Sequence, residues 1–443
     1  MGYFNKPMRK DIGILLLAGF LFFIYGNWIL SITSPDEGRN AYAALHMLKS
    51  GDWIAPYYNC EPRFAKPPLL YWLTALFFKV FGINEFAARL TSGLAATFTS
   101  VVIYLIVRNF FSKEKALLAG LIFALFIHTW VEARAVVPEM LLVFFSTLGV
   151  YLFLKGKTLW GWLALALAFL TKGPVGVILP LAVVFLWKLS EGGKNIKQQL
   201  KEFFIRTFHP LGILIFVLVG GSWYFAMLAH FGWEYFYKFF VVENIARFTG
   251  QAHQHPYPWW YYIPIFLLSV VLFIPVLVKV IFNFERKFLP PFLWFIFVFI
   301  FYSLAKNKLH HYILFAYPPL AIILAQYVSK TYLKRVMVLG STLLGLLLIA
   351  AFWFEQQRFV PKAVEYLKKE NPPTLVFYKD ENSAIVFYLY RCIPIVEDRN
   401  KLPPEGFLIT KEKHLKDLEN FSCKVVVEGR EFGKREVLCK FVK

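Results

Sequence analysis

Charge is scarce in this sequence. Asp, Glu, Lys and Arg supply only 17 % of the 443 residues, and the acids are the scarcer kind, 28 against 48 Lys plus Arg. An ordinary globular chain carries about one quarter charged residues. So little charge beside 58 % hydrophobic residues excludes a disordered chain and one that is stable free in water. Cysteine is rare too: Cys60, Cys392, Cys423 and Cys439 are the four, with no CxxC pair and no Cys/His zinc spacing. That excludes a disulfide-built secreted scaffold and a zinc finger. What fills the space is long apolar runs, such as 12–30 and 211–229, of the roughly 20 residues a bilayer span needs. The mean hydropathy is +0.53. The composition predicts a polytopic α-helical membrane protein.

The net charge of +20 would point to nucleic acid in a soluble chain. In a membrane protein it is read as positive-inside loops and contact with anionic lipid, with no nucleic acid as partner. Eleven spans are expected, at 11–31, 86–108, 115–133, 138–154, 159–171, 174–189, 211–231, 259–282, 289–305, 312–329 and 335–354, or thirteen under a finer division. With an uncleaved first helix and a cytoplasmic N-terminus, the short turns holding Arg108, Lys155, Arg206, Arg286 and Lys334 all fall on the inner side, as the positive-inside rule requires.

Two outer loops, 33–85 and 230–258, belong to a membrane domain 1–354. The first contains a helix over 39–49 with apolar residues at helical spacing, expected to lie in the bilayer interface. Residues 355–443 lose the apolar runs and alternate strands with short helices, which predicts a small α/β domain on the outer side. Its last part reads as a hairpin. A turn centred at Glu431 sets Cys423 directly opposite Cys439, within disulfide reach.

Several charged groups collect on the outer face. Asp36, Glu37 and Arg39 follow the first helix, Lys66 precedes Pro67-Pro68, and Arg134 and Glu139 flank a short turn. Arg247 lies in the second loop, and Lys306 and Lys308 precede His310, His311 and Tyr312. Taken singly, each has a plain structural explanation: Asp36 and Glu37 as the acidic start of a helix, Lys66 as an interfacial anchor, Glu139 facing a helix dipole. His253 and His255 are a weak metal pair, since surface histidines at this spacing are common. Together, several cations and a few carboxylates suit a lipid phosphate. Cations hold the phosphate and take up charge as it leaves, while a carboxylate serves as base toward an incoming hydroxyl.

The stretches SPDEGRNAYAALHMLKSGDWIAPYYNCEPRFAKPPLLYWL, EARAVVPEMLLVFF, LTKGPVGVILP, ENIARF with PWWYYIP, and KLHHYILFAYPPLA run through the chain in order. They resemble the GT-C glycosyltransferases, in the bacterial family of the lipid A aminoarabinose transferase, with more distant kinship to protein O-mannosyltransferases. SAIVFYLYRCIPIV resembles that family's C-terminal domain. The resemblance implies a GT-C fold, a polyprenyl-phosphate-linked sugar as donor and inversion at the anomeric carbon.

It also implies roles for residues. Asp36 matches the family's essential first-loop aspartate, and Glu139 the second acidic position, usually Asp. Lys66, Arg247 and Tyr312 match the donor-phosphate groups, with Arg39 and Lys308 beside them; Glu37, Tyr42 and Arg134 would line the substrate cavity. Ala65 stands where the family often has the Glu that shares a structural zinc with a loop histidine, so no metal is expected as a requirement. The expectation is a monomeric multi-pass enzyme of the bacterial inner membrane, with its active site in the periplasm. It would meet membrane lipid, the undecaprenyl-phosphate sugar and an envelope acceptor, lipid A or lipopolysaccharide, or else a protein. A lipid-linked sugar flippase would instead show internal repeats and a midplane site, and a binding protein with a degenerate site would not need both Asp36 and Lys66.

Overall fold

The computed structural model describes residues 6–191, 195–251, 255–418 and 422–442. In chain order the first elements are α1 (Lys6–Gly19), α2 (Asp36–Ser50), the two-residue strands β1 (Tyr57–Tyr58) and β2 (Glu61–Pro62), α3 (Leu69–Phe81) and α4 (Glu85–Phe110). Then follow α5 (Lys113–Ala124), α6 (Ile127–Ala133), α7 (Glu139–Leu154), α8 (Thr158–Lys172) and α9 (Val175–Ser190). Further helices continue to Glu355, and the remainder mixes strands with short helices.

Among the described residues, four helices are long and apolar enough to cross a membrane: Glu85–Phe110, Pro210–Thr249, Arg286–Leu304 and Lys330–Glu355. Two bent pairs add to these, α5 with α6 at 64° and Tyr262–Ser269 with Val271–Phe282 at 66°. Shorter apolar helices are α3, α7, α8 and α9. Helix thus occupies the apolar stretches, but several are broken or short. The expected loop 230–258 bends at Gly232, where φ is +62°, and is then helical as far as Thr249, in widened turns over Tyr237–Ala246.

The chain forms two compact units. Unit 1 comprises 1–25, 64–73 and 89–343; unit 2 comprises 26–63, 74–88 and 344–443. This division departs from a boundary at 354/355, since most of the first outer loop clusters with the C-terminal segment.

Unit 1 is a helical bundle whose core is apolar and aromatic. Trp162 shows how a large aromatic is buried in the bundle with its polar group paired. Its ring packs edge-on against Phe153 and Phe216, and its indole N–H donates to Thr207 O at 2.7 Å. An aromatic buried this way contributes its area and satisfies its one donor. The break between α8 and α9 is made by Lys172-Gly173-Pro174. Gly173 takes a left-handed φ of +71°, and a Cβ there would lie 2.9 Å from the Phe239 ring, so glycine is required for backbone and for space alike.

Unit 2 is built on five strands in the order β4-β3-β5-β7-β6: β3 (Leu375–Tyr378), β4 (Ile395–Val396), β5 (Glu405–Lys411), β6 (Ser422–Glu431) and β7 (Lys434–Val442). The first pairings are parallel, those of β7 antiparallel. Val376, Tyr378, Leu408, Cys439 and Phe441 share one buried cluster.

Helix α2 is largely covered by protein. Ala41, Ala43, Ala44, Leu45 and Met47 are all buried, and α2 packs on the helix Ser383–Leu389. The approach is close enough that a Cβ on Gly38 would meet Ser383 Oγ at 2.5 Å. The apolar residues at helical spacing face another helix, and the small ones among them let it lie close.

Disulfides join Cys423 to Cys439 and Cys60 to Cys392. The first comes with a corrected register. The turn is Phe432-Gly433, a bulge falls between Val425 and Val427, and Cys439 lies opposite Val425. Cys423 therefore reaches Cys439 diagonally on the same sheet face, with Cα atoms 5.6 Å apart. The second rests on the β1–β2 hairpin, whose turn residues Asn59 and Cys60 both have positive φ. Asn59 brackets Ile393 with two side-chain hydrogen bonds of 2.8 and 2.9 Å, holding Cys60 beside Cys392.

Candidate active site

In unit 1 a cavity of about 80 Å³ gathers residues far apart in sequence. Three cations line it: Lys66, just before Pro67; Lys172, at the C-terminus of α8; and Arg247, at the end of the widened helix. Tyr302, Tyr312 and Asn307 add polar groups, and Phe239, Phe248 and Phe301 the apolar wall. Lysine at a helix C-terminus meets the negative end of the dipole, and the glycine after it ends the helix there, so the ammonium of Lys172 is fixed in place.

Behind the cavity stands Glu139, 3 % exposed at the first residue of α7. Its Oε1 accepts from Lys172 Nζ at 2.8 Å and lies 3.2 Å from His311 Nε2. Its other oxygen has no hydrogen-bond partner among the described residues. Lys66 acts on the same carboxylate electrostatically. The Lys172 ammonium lies 4.6 Å from the centroid of the Tyr312 ring, a cation–π contact that holds both groups at the cavity wall. Arg247 pairs with Glu243 at 3.1 Å, and Asn307 ties the loop together by donating to Arg247 O and accepting from His255 N–H. Three cations against two carboxylates leave an excess of positive charge in a partly apolar cavity, an arrangement that suits a phosphate.

Unit 2 holds the acidic motif after the first helix. Asp36 opens α2 and is exposed, whereas Glu37 is 4 % exposed. Glu37 Oε2 accepts from both the backbone N–H and the hydroxyl of Thr33, at 2.8 and 2.9 Å, which ties the segment before α2 to its first turn. Arg39 donates to Glu381 at 2.8 Å, and the Tyr58 hydroxyl donates to the same carboxylate. Burial, reinforced by the Glu381 charge, pushes the Tyr58 hydroxyl far above its ordinary pKa. Tyr42 is buried between Tyr390 and Tyr58, with ring centroids 5.4 and 5.5 Å away.

A sequence profile of the dolichyl-phosphate-mannose-protein mannosyltransferase family matches residues 65–223. An uncharacterized protein of Aquifex aeolicus is 53 % identical over 98 % of this chain and its own full length. Undecaprenyl phosphate-α-4-amino-4-deoxy-L-arabinose arabinosyl transferase 1 of Pseudomonas fluorescens is 30 % identical over 80 % of this chain and 67 % of its own. The chain belongs to the GT-C glycosyltransferases of the aminoarabinose-transferase and mannosyltransferase type. It spans 60–67 % of the length of three such arabinosyl transferases. The fold agrees with ArnT from Cupriavidus metallidurans, in a crystal structure bound to undecaprenyl phosphate, with a TM-score of 0.77 at 18 % identity over 97 % of both chains. The archaeal oligosaccharyltransferase AglB of Archaeoglobus fulgidus is more distant, with a TM-score of 0.57 at 13 % identity, over 92 % of this chain and 69 % of its own.

For this glycosyltransferase, the structure sorts the residues singled out from sequence. Lys66, Arg247 and Tyr312 line one cavity, with Glu139 behind it. Lys308 does not line it; its ammonium is buried and donates to Ala305 O. Arg134 spends its guanidinium on carbonyls, those of Phe22 and Trp130 and, at 3.0 Å, Tyr25, so it closes helix ends and lines no cavity. Glu37 is taken up by its bonds to Thr33, and Tyr42 by its packing against Tyr58 and Tyr390. Arg39 is already neutralised by Glu381.

Of the two loop histidines, His253 lies outside the described residues. His255 is exposed; its backbone N–H donates to Asn307 Oδ1, and its carbonyl accepts from the N–H groups of Tyr257 and Lys308. Lys172 went unselected in the sequence, although a lysine inside an apolar run before Gly-Pro is itself a signal. Glu381 carried no signal, since only the fold brings it beside Arg39.

Proposed function

We propose that this enzyme moves a sugar from an undecaprenyl-phosphate carrier to an acceptor of the cell envelope, lipid A or lipopolysaccharide, on the periplasmic face of the bacterial inner membrane. The observation that carries the reading is the cavity holding Lys66, Lys172 and Arg247 beside Tyr312, with net positive charge and an aromatic wall. The names of the arabinosyl transferases it resembles support the donor class.

In the proposed reaction an acceptor oxygen attacks the anomeric carbon on the face opposite the phosphate, and the new C–O bond forms as the bond to the phosphate oxygen breaks. The electron pair leaves on undecaprenyl phosphate. Lys66, Lys172 and Arg247 balance the charge arriving there, which is where preorganised donors act most strongly. A hydroxyl acceptor loses its proton to a carboxylate, the role assigned to Asp36. A phosphate acceptor is already ionised, and Asp36 then orients it. Glu139 keeps Lys172 placed and charged. A divalent metal is not needed for any of these steps.

A protein acceptor is the second reading, supported by the mannosyltransferase profile over residues 65–223. Mass spectrometry of lipid A and of envelope proteins from a deletion strain tests both. Loss of a sugar from lipid A is the expected result. Loss from proteins alone would move the acceptor to the second reading, and no change in either would overturn the proposal.

A further inference from the structure

Apart from the cavity, unit 1 holds a second cluster of groups. His128 and Glu132 stand one helical turn apart on α6, and His310 faces them from the segment before Tyr312. Their donor atoms are in mutual contact. His128 Nε2 lies 3.2 Å from His310 Nδ1 and 3.6 Å from Glu132 Oε1, while His310 Nδ1 lies 3.1 Å from that same oxygen. Each of the three atoms can offer a lone pair, and the three converge on one point.

We propose that these three side chains bind a zinc-class divalent cation. The circle through the three atoms has a radius of about 1.9 Å, from the edges of 3.1, 3.2 and 3.6 Å. An ion at the usual Zn–N and Zn–O distance of about 2.05 Å would sit about 0.7 Å above their plane, which is the offset of a tetrahedral centre from the base formed by three of its ligands. Two imidazoles and one carboxylate are also the ligand set zinc accepts, with a fourth position left open. His310 is half exposed at its side chain, so the open position faces an accessible side. The outer partners fit as well. The Tyr317 hydroxyl, fully buried, lies 2.9 Å from His128 Nδ1. That contact orients the ring and leaves Nε2 to the metal.

The cation would tie α6 to the segment whose next residues are His311, on Glu139, and Tyr312, at the cavity wall. It is a positioning metal outside the transfer chemistry, and it does not depend on the proposed acceptor. It also uses none of the loop histidines considered from sequence.

The test is zinc content of the full chain, purified in detergent without a histidine tag, stripped with a chelator and dialysed against Zn²⁺. About one zinc per chain is expected, with X-ray absorption showing a nitrogen/oxygen shell at about 2.0–2.1 Å. Glu132→Gln and His310→Ala should each lower occupancy at least tenfold, His310→Cys should restore it, and His255→Ala should leave it at the wild-type value. Each variant is required to elute at the wild-type volume; where none does, the wild-type stoichiometry and spectrum decide. Failure of the wild-type chain to retain zinc, or full retention by both Glu132→Gln and His310→Ala, would overturn the site.

Discussion

Lys172 Nζ donates to Glu139 Oε1 at 2.8 Å, joining the end of α8 to the start of α7 with both side chains largely buried. Removing one member of such a pair strands the other charge in the protein, at a cost of about 3–5 kcal/mol. Lys172→Met should therefore melt well below wild type in detergent. Lys172→Met with Glu139→Gln should recover most of that loss, yet transfer should remain poor, because a cavity cation is still missing. A double variant as active as wild type would make the pair purely structural.

In the proposed reaction Lys66 would meet the donor phosphate in both the ground state and the transition state. Lys66→Ala should weaken binding of undecaprenyl phosphate and slow transfer together, with a total loss of about 2–4 kcal/mol, typical of one charged donor in a dry site. Lys66→Arg should restore binding more than rate, since a guanidinium fork presents its charge differently from a compact ammonium. Equilibrium binding and single-turnover rates separate the two.

Asp36 is exposed at the first turn of α2, whereas Glu37 is buried and holds Thr33 by two hydrogen bonds. The fold should therefore be indifferent to Asp36→Asn, while turnover falls about 10²-fold or more, as for a lost acid–base group. The same kind of change at Glu37, to Gln, should do the reverse, lowering stability by about 1 kcal/mol through the weakened bonds to Thr33. Melting curves beside transfer rates distinguish the neighbours, and near wild-type rates in Asp36→Asn would remove it from the mechanism.

How far the sequence reached depends on the range of the interaction. Apolar runs and the Lys172-Gly173-Pro174 break report local preferences, and the helices follow them. The first-loop motif is legible as a set of residue types, but not as work divided among them: Glu37 holds Thr33, Arg39 pairs with Glu381, and Asp36 faces solvent. Glu381 lies 342 residues from Arg39, and no periodicity links such a pair. The β6–β7 hairpin was visible from its β-branched alternation, yet its register was not, because a bulge between Val425 and Val427 shifts the pairing and bulges leave little trace in composition.

The two disulfides lead to a thiol count. With Cys60 bonded to Cys392 and Cys423 to Cys439, the denatured, unreduced protein should show no reactive thiol, and four after reduction. Losing the bond across the 16-residue separation through Cys423→Ser with Cys439→Ser should cost unit 2 about 3 kcal/mol. Proteolysis of the 355–443 segment should quicken correspondingly. Four thiols before reduction would rule both bonds out.

Glu436 on β7 gives unit 2 a pH dependence of defined sign. Burial pushes its carboxyl from 4.5 up to about 7, with the Asn382 hydrogen bond opposing the shift and the charges of Glu431 and Asp380 adding to it. Between those two values the folded state binds more protons than the unfolded chain, so stability falls as pH rises. The contribution is fully present below pH 4.5 and is lost as pH passes through 7. A shift of this size corresponds to about 3 kcal/mol. Glu436→Gln keeps an acceptor for Asn382 without the charge, so it should stabilise unit 2 by about 2–3 kcal/mol at pH 8 and by little at pH 4. Hydrogen exchange of β5 and β7 at the two pH values measures it. A gain equal at both would place the effect in packing, and no gain at pH 8 would mean that Glu436 is charged there without penalty.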